Sequence, residues 1–334
     1  MKCTSNKQEN MIEQVQRLLK ERGSKALEEA RKTILQEEIK CKEVREALTY
    51  FMTEYWRDLA RPTLLSIACE AVGGDPDVTT PIAVPMILIS GAIDIHDDII
   101  DQSKIKGSRP TVLGKFGKDI ALLVGDALLF KGLTLLHEAV EKGVPAEKLP
   151  LIINIIRRTF FELGDAEALE LQFRGRTDVT PRQYLCVFRK KAADVEAHTR
   201  ISAILGKGSK DQIETLGKYG RILGMLILLR DDWIDMIDFK EAQHRIKREC
   251  LPLPILYALQ NSEIKLALSS ILKKETITNK DAKKLLEIVD KAGGLEYTQK
   301  IMRELAEDAY SYLSDVKSNR KFLKAFIRAT LPNF

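Results

Sequence analysis

The chain has 334 residues, of which 45% are hydrophobic and 30% are charged, and its net charge is +5. This composition is typical of a soluble globular protein, and the length suits one large domain or two small ones. Lysine and arginine are interleaved with aspartate and glutamate along most of the chain, so the charge gives no indication of a nucleic-acid partner.

The cysteines and the N-terminal segment indicate the cellular compartment. The segment MKCTSNKQENMIEQ is polar and lacks the apolar core of a signal peptide. The most hydrophobic run, PIAVPMILISGAI (residues 81–93), is too short to span a membrane. The cysteines are odd in number and form no CxxC or Cys/His pair, which predicts reduced thiols; they are Cys3, Cys41, Cys69, Cys186 and Cys250. We therefore predict a cytoplasmic protein with no integral membrane segment.

Apolar residues recur at three- and four-residue spacing along the chain, which predicts helices. Examples in chain order are MIEQVQRLLKERGSKALEEARKTIL, VREALTYFMTEYW and LLVGDALLFKGLTLLHEAVEK. Strand signals are scarce, and no linker or low-complexity segment divides the chain. Breaks rich in glycine, proline and polar residues separate the helices, at residues 71–81, 106–111, 141–150, 175–183, 206–212 and 291–296. The pattern predicts one all-α domain of long packed helices over residues 1–334.

Two acidic clusters interrupt apolar helical segments. The first is DDIID, with Asp97, Asp98 and Asp101, and the second is DDWID, with Asp231, Asp232 and Asp235. Residues four apart share a helix face, and an acidic run on such a face is often simply solvated. Here the neighbours are apolar, where unpaired carboxylates are costly, and the arrangement occurs twice. A hard cation such as Mg²⁺, which prefers oxygen ligands, would offset that cost.

The order DDIID, GDALL (residues 125–129), DDWID resembles the (E)-prenyl diphosphate synthase, or polyprenyl synthetase, family. The resemblance covers residues 45–334 and includes ARPTLLSIACEAVGG, YLCVFRKKAA, KYGRILGMLILLRDD and AGGLEYTQK. It implies an isoprenoid synthase-type bundle around a central cavity, in which the two motifs face each other and hold Mg²⁺ on an allylic prenyl diphosphate. It also implies a homodimer. The metal ligands implied are Asp97, Asp98, Asp101, Asp231 and Asp235, and all six aspartates are implied in catalysis.

The residues that bind the second substrate of this family, isopentenyl diphosphate, depart from the family pattern. Where the family carries GKxxR before a proline, this chain has WRDLARP, so that Arg61 matches the arginine but Asp58 replaces the lysine. Ser90 stands where a His or Gln is usual in the family. After the first cluster the family has two adjacent arginines; here Lys106 takes the place of the first and Gly107 that of the second.

The basic residues predicted to bind substrate diphosphate rest on the same resemblance. Arg109 could substitute for the lost arginine, and a solvated surface charge is the alternative for each cation. The residues predicted are Lys106, Lys191, Arg61, Arg109, Arg245, Lys247 and Arg248.

A pocket for the hydrocarbon tail is predicted one to three turns before the first cluster. Met86, Ile89, Ala92 and Ile93 project along the same side of the helix as the metal ligands. The resemblance places pocket-closing aromatic residues at positions 92 and 93 in enzymes with short products. Ala92 and Ile93 therefore predict a tail of C20 or longer.

Three functions fit these observations. The departures at the second-substrate positions favour Mg²⁺-dependent ionisation of an allylic diphosphate, with the cation cyclised, deprotonated or passed to a non-standard acceptor. The alternative is an ordinary chain-elongating synthase that uses isopentenyl diphosphate. A third is a non-catalytic subunit of a heteromeric synthase, for which six metal-binding aspartates would be superfluous.

Overall fold

The computed structural model describes residues 13–316 and 318–331. Cys3 and most of the polar N-terminal segment lie outside these residues. Residues 13–18 are helical, and the further helices are α1 (Ser24–Leu35), α2 (Lys42–Tyr50), α3 (Ala60–Ala71), α4 (Thr80–Ile100), α5 (Val112–Phe116), α6 (Lys118–Glu138), α7 (Leu149–Phe173), α8 (Pro181–Lys191), α9 (Ala193–Leu205), α10 (Lys210–Ile237), α11 (Phe239–Arg248), α12 (Leu253–Ala258), α13 (Ser262–Leu272), α14 (Asn279–Lys291), α15 (Gly294–Tyr312) and α16 (Arg320–Thr330).

The prediction of an all-α fold is confirmed. Within the described residues, the strands are Ile105–Lys106 (β1) and Arg109–Pro110 (β2), which pair antiparallel as one small hairpin. Each break predicted from glycine, proline and polar residues falls between two helices. The four cysteines that the structure describes are free thiols, as predicted.

Packing divides the chain into two compact units. Unit 1 comprises Met1–Ile155, His198–Ile213 and Val316–Leu323, and unit 2 comprises Ile156–Ala197, Glu214–Asp315 and Lys324–Phe334. The single-domain organisation stays a prediction.

Helix α4 forms the centre of unit 1, and α6 packs closely against it. The close approach requires glycine on α6, because a Cβ atom at Gly132 would lie 2.7 Å from Ile89 Cγ1 and 2.9 Å from the carbonyl oxygen of Pro85. A Cβ atom at Gly125 would lie 2.5 Å from His96 Nε2. These contacts hold α4 against α6 from Pro85 to His96, directly before the first aspartate cluster.

An aromatic cluster covers the other side of α4. The Phe51 and Trp56 rings stack with their centroids 5.2 Å apart, and a Cβ atom at Gly91 would lie 2.9 Å from Phe51 Cε1. The π-helical segment Phe51–Tyr55 follows α2 directly. The backbone N–H of Trp56 donates to the Phe51 carbonyl at 2.6 Å, an i→i+5 bond that widens the end of this segment. The chain then turns into Asp58 and α3.

Unit 2 is built around α10, α12 and α15. Gly224 of α10 approaches Ala192 so closely that a Cβ atom would lie 2.8 Å from the Ala192 Cβ. The Tyr257 and Tyr297 rings stack at 4.1 Å. Buried apolar residues of α10 continue up to Leu229, two residues before the second cluster, and Met236 is buried beyond it.

Two helical segments of the described chain are long and apolar enough to cross a membrane, judged by length and composition alone. One is Pro76–Ile100, which extends well beyond the run of residues 81–93, and 72% of its apolar window is buried. A buried core helix of a soluble protein meets the same criteria. The other is Lys118–Glu138, and 39% of its apolar window is buried.

The contact between α4 and α6 gives a stability prediction. Replacing Gly132 with Ala should destabilise the protein by about 1–3 kcal/mol, because the new methyl group overlaps the Pro85 backbone. The matched control is Gly164→Ala in α7, where a Cβ atom would meet no neighbouring side chain or segment within 4 Å. That change should stabilise by up to about 1 kcal/mol, since alanine favours helix. Chemical denaturation measures both, and equal effects would contradict the prediction.

Candidate active site

The first aspartate cluster lies at the C-terminal end of α4. Asp101 directly follows the helix, and its N–H donates to the Asp97 carbonyl at 2.8 Å, so the four-residue spacing is kept. The Asp98 side chain is only 3% exposed, whereas that of Asp97 is 29% exposed. The cluster therefore combines one buried carboxylate with another that water can reach.

Lys106 neutralises this cluster. The lysine is on β1, and its Nζ lies 2.7 Å from Asp98 Oδ1 and 3.5 Å from Asp97 Oδ2. Burial raises the pKa of Asp98 to about 6, although the positive charge of Lys106 acts to lower it. Burial also works to lower the pKa of Lys106, but the carboxylates outweigh it and the pKa is raised well above its usual value. The lysine is thus held as a cation.

The loop that carries Lys106 is fixed by side-chain-to-backbone hydrogen bonds. Arg109 Nη1 donates to the Glu54 carbonyl at 2.9 Å, and Tyr50 Oη donates to the Pro110 carbonyl at 2.6 Å. Thr111 Oγ1 donates to the Ser103 carbonyl at 2.7 Å. Arg109, predicted to bind diphosphate, therefore anchors the loop in this structure.

Two of the predicted second-substrate positions, Asp58 and Arg61, form an ion pair in unit 1. Asp58 Oδ2 lies 2.7 Å from Arg61 Nη1, and Asp58 Oδ1 accepts the Ala60 N–H at 2.8 Å. Asp58 thus satisfies donors at the start of α3 and also neutralises Arg61.

Asp94 is a further acidic residue near Arg61, and sequence reasoning missed it. Burial raises its pKa to about 7, while the nearby cations Arg61 and Lys106 act to lower it. The available signal was its spacing, because Asp94 precedes Asp97 by three residues and so shares its helix face.

The second aspartate cluster lies near the C-terminal end of α10. Asp232 is completely buried and accepts hydrogen bonds from Tyr184 Oη and from the Leu253 N–H, both at 2.9 Å. Asp231 is 49% exposed and pairs with Arg230, whose Nη2 lies 2.9 Å away. The cluster again combines a buried carboxylate with an accessible one.

Arg245 of α11 holds the second cluster together. Its Nη2 lies 2.7 Å from Asp232 Oδ1 and its Nη1 lies 2.7 Å from Asp235 Oδ2, while its Nε is 3.4 Å from Glu249 Oε2. Burial acts to lower the pKa of Arg245, but Asp232 and its other neighbours raise it well above the usual value. Arg245 was predicted to bind diphosphate, and the structure places it in a carboxylate network.

The remaining predicted cations of unit 2 also have protein partners. Lys191 is mostly buried and forms salt bridges with Glu167 Oε1, at 2.9 Å, and with Glu170. Sequence reasoning missed both glutamates, which lie on α7 three residues apart. Lys247 donates to the Lys274 carbonyl, and Arg248 is exposed at the end of α11.

The predicted tail-pocket residues lie along α4. Met86 and Ile89 are buried, and Ala92 is buried within the apolar cluster that contains Phe51 and Trp56. Ile93 is partly exposed. Neighbouring side chains therefore already cover Ala92, so its small size does not by itself open a pocket.

The aspartates provide the oxygen donors that Mg²⁺ prefers. Among residues 13–316 and 318–331, no three His, Cys, Asp or Glu side chains converge so as to hold a metal ion by themselves. Mg²⁺ commonly takes one or two carboxylates and completes its coordination with water and substrate phosphates. The accessible side chains of Asp97 and Asp231 suit that mode, whereas the buried Asp232 is already fully engaged.

Comparisons with known proteins identify the family. The family model described as Polyprenyl synthetase matches residues 41–289. The chain belongs to the polyprenyl synthetase family. The predicted enzyme class, which acts on prenyl diphosphates, is confirmed at this level.

Individual relatives agree with the assignment. The chain is 31% identical over 230 residues to the short chain isoprenyl diphosphate synthase of Methanothermobacter thermautotrophicus, covering 69% of this chain and 66% of that protein. It is 28% identical to the geranylgeranyl diphosphate synthase of Methanosarcina mazei, covering 81% of each. The structure of geranylgeranyl pyrophosphate synthetase from Pyrococcus horikoshii superposes with a TM-score of 0.86 at 23% identity, covering 97% of this chain and 99% of that one. This similarity confirms the predicted isoprenoid synthase-type fold.

The network around Arg245 predicts a structural role for that residue. Arg245→Met should destabilise the protein by about 3–5 kcal/mol, because Asp232 stays buried without its cation. The control is Arg230→Met, which removes a more exposed pair and should cost under about 1 kcal/mol. Urea denaturation of both variants measures the difference. Equal and small losses would show that Arg245 is dispensable for the fold.

Proposed function

We propose that the protein is a cytoplasmic, magnesium-dependent prenyl diphosphate synthase that elongates an allylic diphosphate with isopentenyl diphosphate. Family membership and relatives named as prenyl diphosphate synthases support this proposal. The observation that carries it is the pair of aspartate clusters, each with an accessible carboxylate beside a cation held by its neighbours.

In this proposal the accessible aspartates are the metal ligands. Asp97 and Asp101 would hold Mg²⁺ at the first cluster, and Asp231 and Asp235 at the second, with Asp98 and Asp232 positioning them. Bound Mg²⁺ would supply Lewis-acid stabilisation of the charge that develops on the departing diphosphate. Lys106 would donate hydrogen bonds to the same diphosphate.

The apolar face of α4 would hold the hydrocarbon tail and exclude water from the allylic cation. Met86, Ile89 and Ile93 lie on this helix at depths of one to three turns from the first cluster. A tail of C20 or longer remains our proposal.

A second candidate function is ionisation of the allylic diphosphate without isopentenyl diphosphate, and one observation favours it. Arg61, the retained cation of the second-substrate positions, is paired with Asp58 at 2.7 Å, and Asp94 adds a further carboxylate nearby. A second dianionic diphosphate would have to separate this ion pair and approach two acidic side chains.

Product analysis distinguishes the two functions. Purified protein with Mg²⁺ and C15, C20 or C25 allylic diphosphates should give elongated diphosphates only when isopentenyl diphosphate is present. Asp58→Lys should lower the KM for isopentenyl diphosphate at least ~10-fold, since it replaces a repulsive charge with an attractive one.

The control is Asp77→Lys, which makes the same charge change at an exposed position that pairs with Lys25 and should leave this KM unchanged. A hydrocarbon or alcohol product that forms regardless of isopentenyl diphosphate would favour the second candidate. If turnover appears only after another synthase subunit is added, this chain would be the non-catalytic subunit of a heteromeric synthase.

We also propose that the protein is a homodimer. Helix α6 exposes large apolar side chains, which soluble monomers seldom gather on one element; they are Leu122, Leu123, Phe130 and Leu133. Light scattering after gel filtration should give twice the chain mass of 37.8 kDa, and Phe130→Glu should shift the protein towards the monomer. A wild-type monomer would exclude this assembly.

A further inference from the structure

Each aspartate cluster is bridged by a cation from the chain segment that follows it. In unit 1 the bridge is Lys106, between Asp97 and Asp98; in unit 2 it is Arg245, between Asp232 and Asp235. In each case one contact is to a buried carboxylate and the other to a more accessible one. The same arrangement thus occurs twice, with the cation on strand β1 in unit 1 and on helix α11 in unit 2.

The two bridges differ in how firmly they are held. Arg245 is 11% exposed and makes three carboxylate contacts, so it is a fixed part of unit 2. Lys106 is 46% exposed, and its distance to Asp97 is 3.5 Å, against 2.7 Å to Asp98. Of the two cations, Lys106 is therefore the one whose contact with the accessible carboxylate, Asp97, can be exchanged at little structural cost.

A metal ion at Asp97 would lie close to this ammonium group. Two cations that compete for one carboxylate repel each other, and a divalent ion must overcome that repulsion to bind. A diphosphate changes the balance, because its oxygens can accept hydrogen bonds from the ammonium group and ligate the metal at once.

We propose that Lys106 is an internal counterion that keeps divalent metal off the empty first cluster and transfers to the diphosphate when metal and diphosphate bind together. The inference rests on the proposed function, because it assumes that the cluster binds a metal–diphosphate complex. In this way Lys106 would make metal binding at the first cluster depend on the presence of a diphosphate.

The test compares metal affinity with and without diphosphate. Binding of Mn²⁺, as a spectroscopic substitute for Mg²⁺, is followed by electron paramagnetic resonance with the full-length protein alone and with inorganic pyrophosphate. Lys106→Met should bind Mn²⁺ alone about 10-fold more tightly than the wild type and should bind it about 10-fold more weakly when pyrophosphate is present. Lys106→Arg keeps the positive charge and should therefore bind Mn²⁺ like the wild type, both alone and with pyrophosphate.

The control variant is Lys104→Met, which removes the same charge from an exposed position on the same loop and should change neither affinity. A Lys106→Met protein that loses affinity in both measurements, or gains none for Mn²⁺ alone, overturns the proposal and leaves Lys106 as a structural clamp. If the wild type fails to bind Mn²⁺ with pyrophosphate, the proposed function is wrong, and the comparison for Mn²⁺ alone still decides the counterion role.

Discussion

Burying a carboxylate among apolar helices is costly unless donors or a cation accompany it. Both aspartate clusters are organised around that cost. Asp232 is compensated by a tyrosine hydroxyl, a backbone N–H and Arg245, and Asp98 by Lys106. The segments after α4 and α10 supply these cations, so the position of each segment depends on the charge of the helix end that it follows. This compensation leaves Asp97 and Asp231 accessible to water, which is what an oxygen-ligand metal site needs.

Asp58 and Arg61, which the resemblance assigns to the second-substrate positions, form an ion pair in unit 1. Asp58 does not simply remove a cation, because it pairs with the remaining one and also accepts a backbone N–H at the start of α3. The residue is therefore integrated into the helix start. A change of the charge at position 58 is therefore coupled to the stability of the start of α3.

The helical character, the six breaks rich in glycine, proline and polar residues, and the aspartate spacing could be predicted from the sequence, because periodicity and glycine placement are local properties. The break at residues 56–59 has no glycine, and it depends on the stacked Phe51 and Trp56 rings. Partners of charged residues could not be predicted either, since they are set by packing between distant segments. Diphosphate binding by Lys191 and Arg245 stays a prediction, and the structure adds that acidic side chains lie beside both. The tail pocket at Ala92 also stays a prediction, and the burial of this residue depends on neighbours that the local sequence does not show.

The hairpin that carries Lys106 is tied to the rest of unit 1 through Arg109 to the Glu54 carbonyl and through Tyr50 to the Pro110 carbonyl. With the backbone held at these points, the ammonium group can move only by rotation of its own flexible side chain. An inserted or deleted residue between Asp101 and Thr111 would shift the ammonium group out of reach while the anchors stayed in place. The length of this loop therefore matters to the first cluster as much as the spacing of its aspartates does.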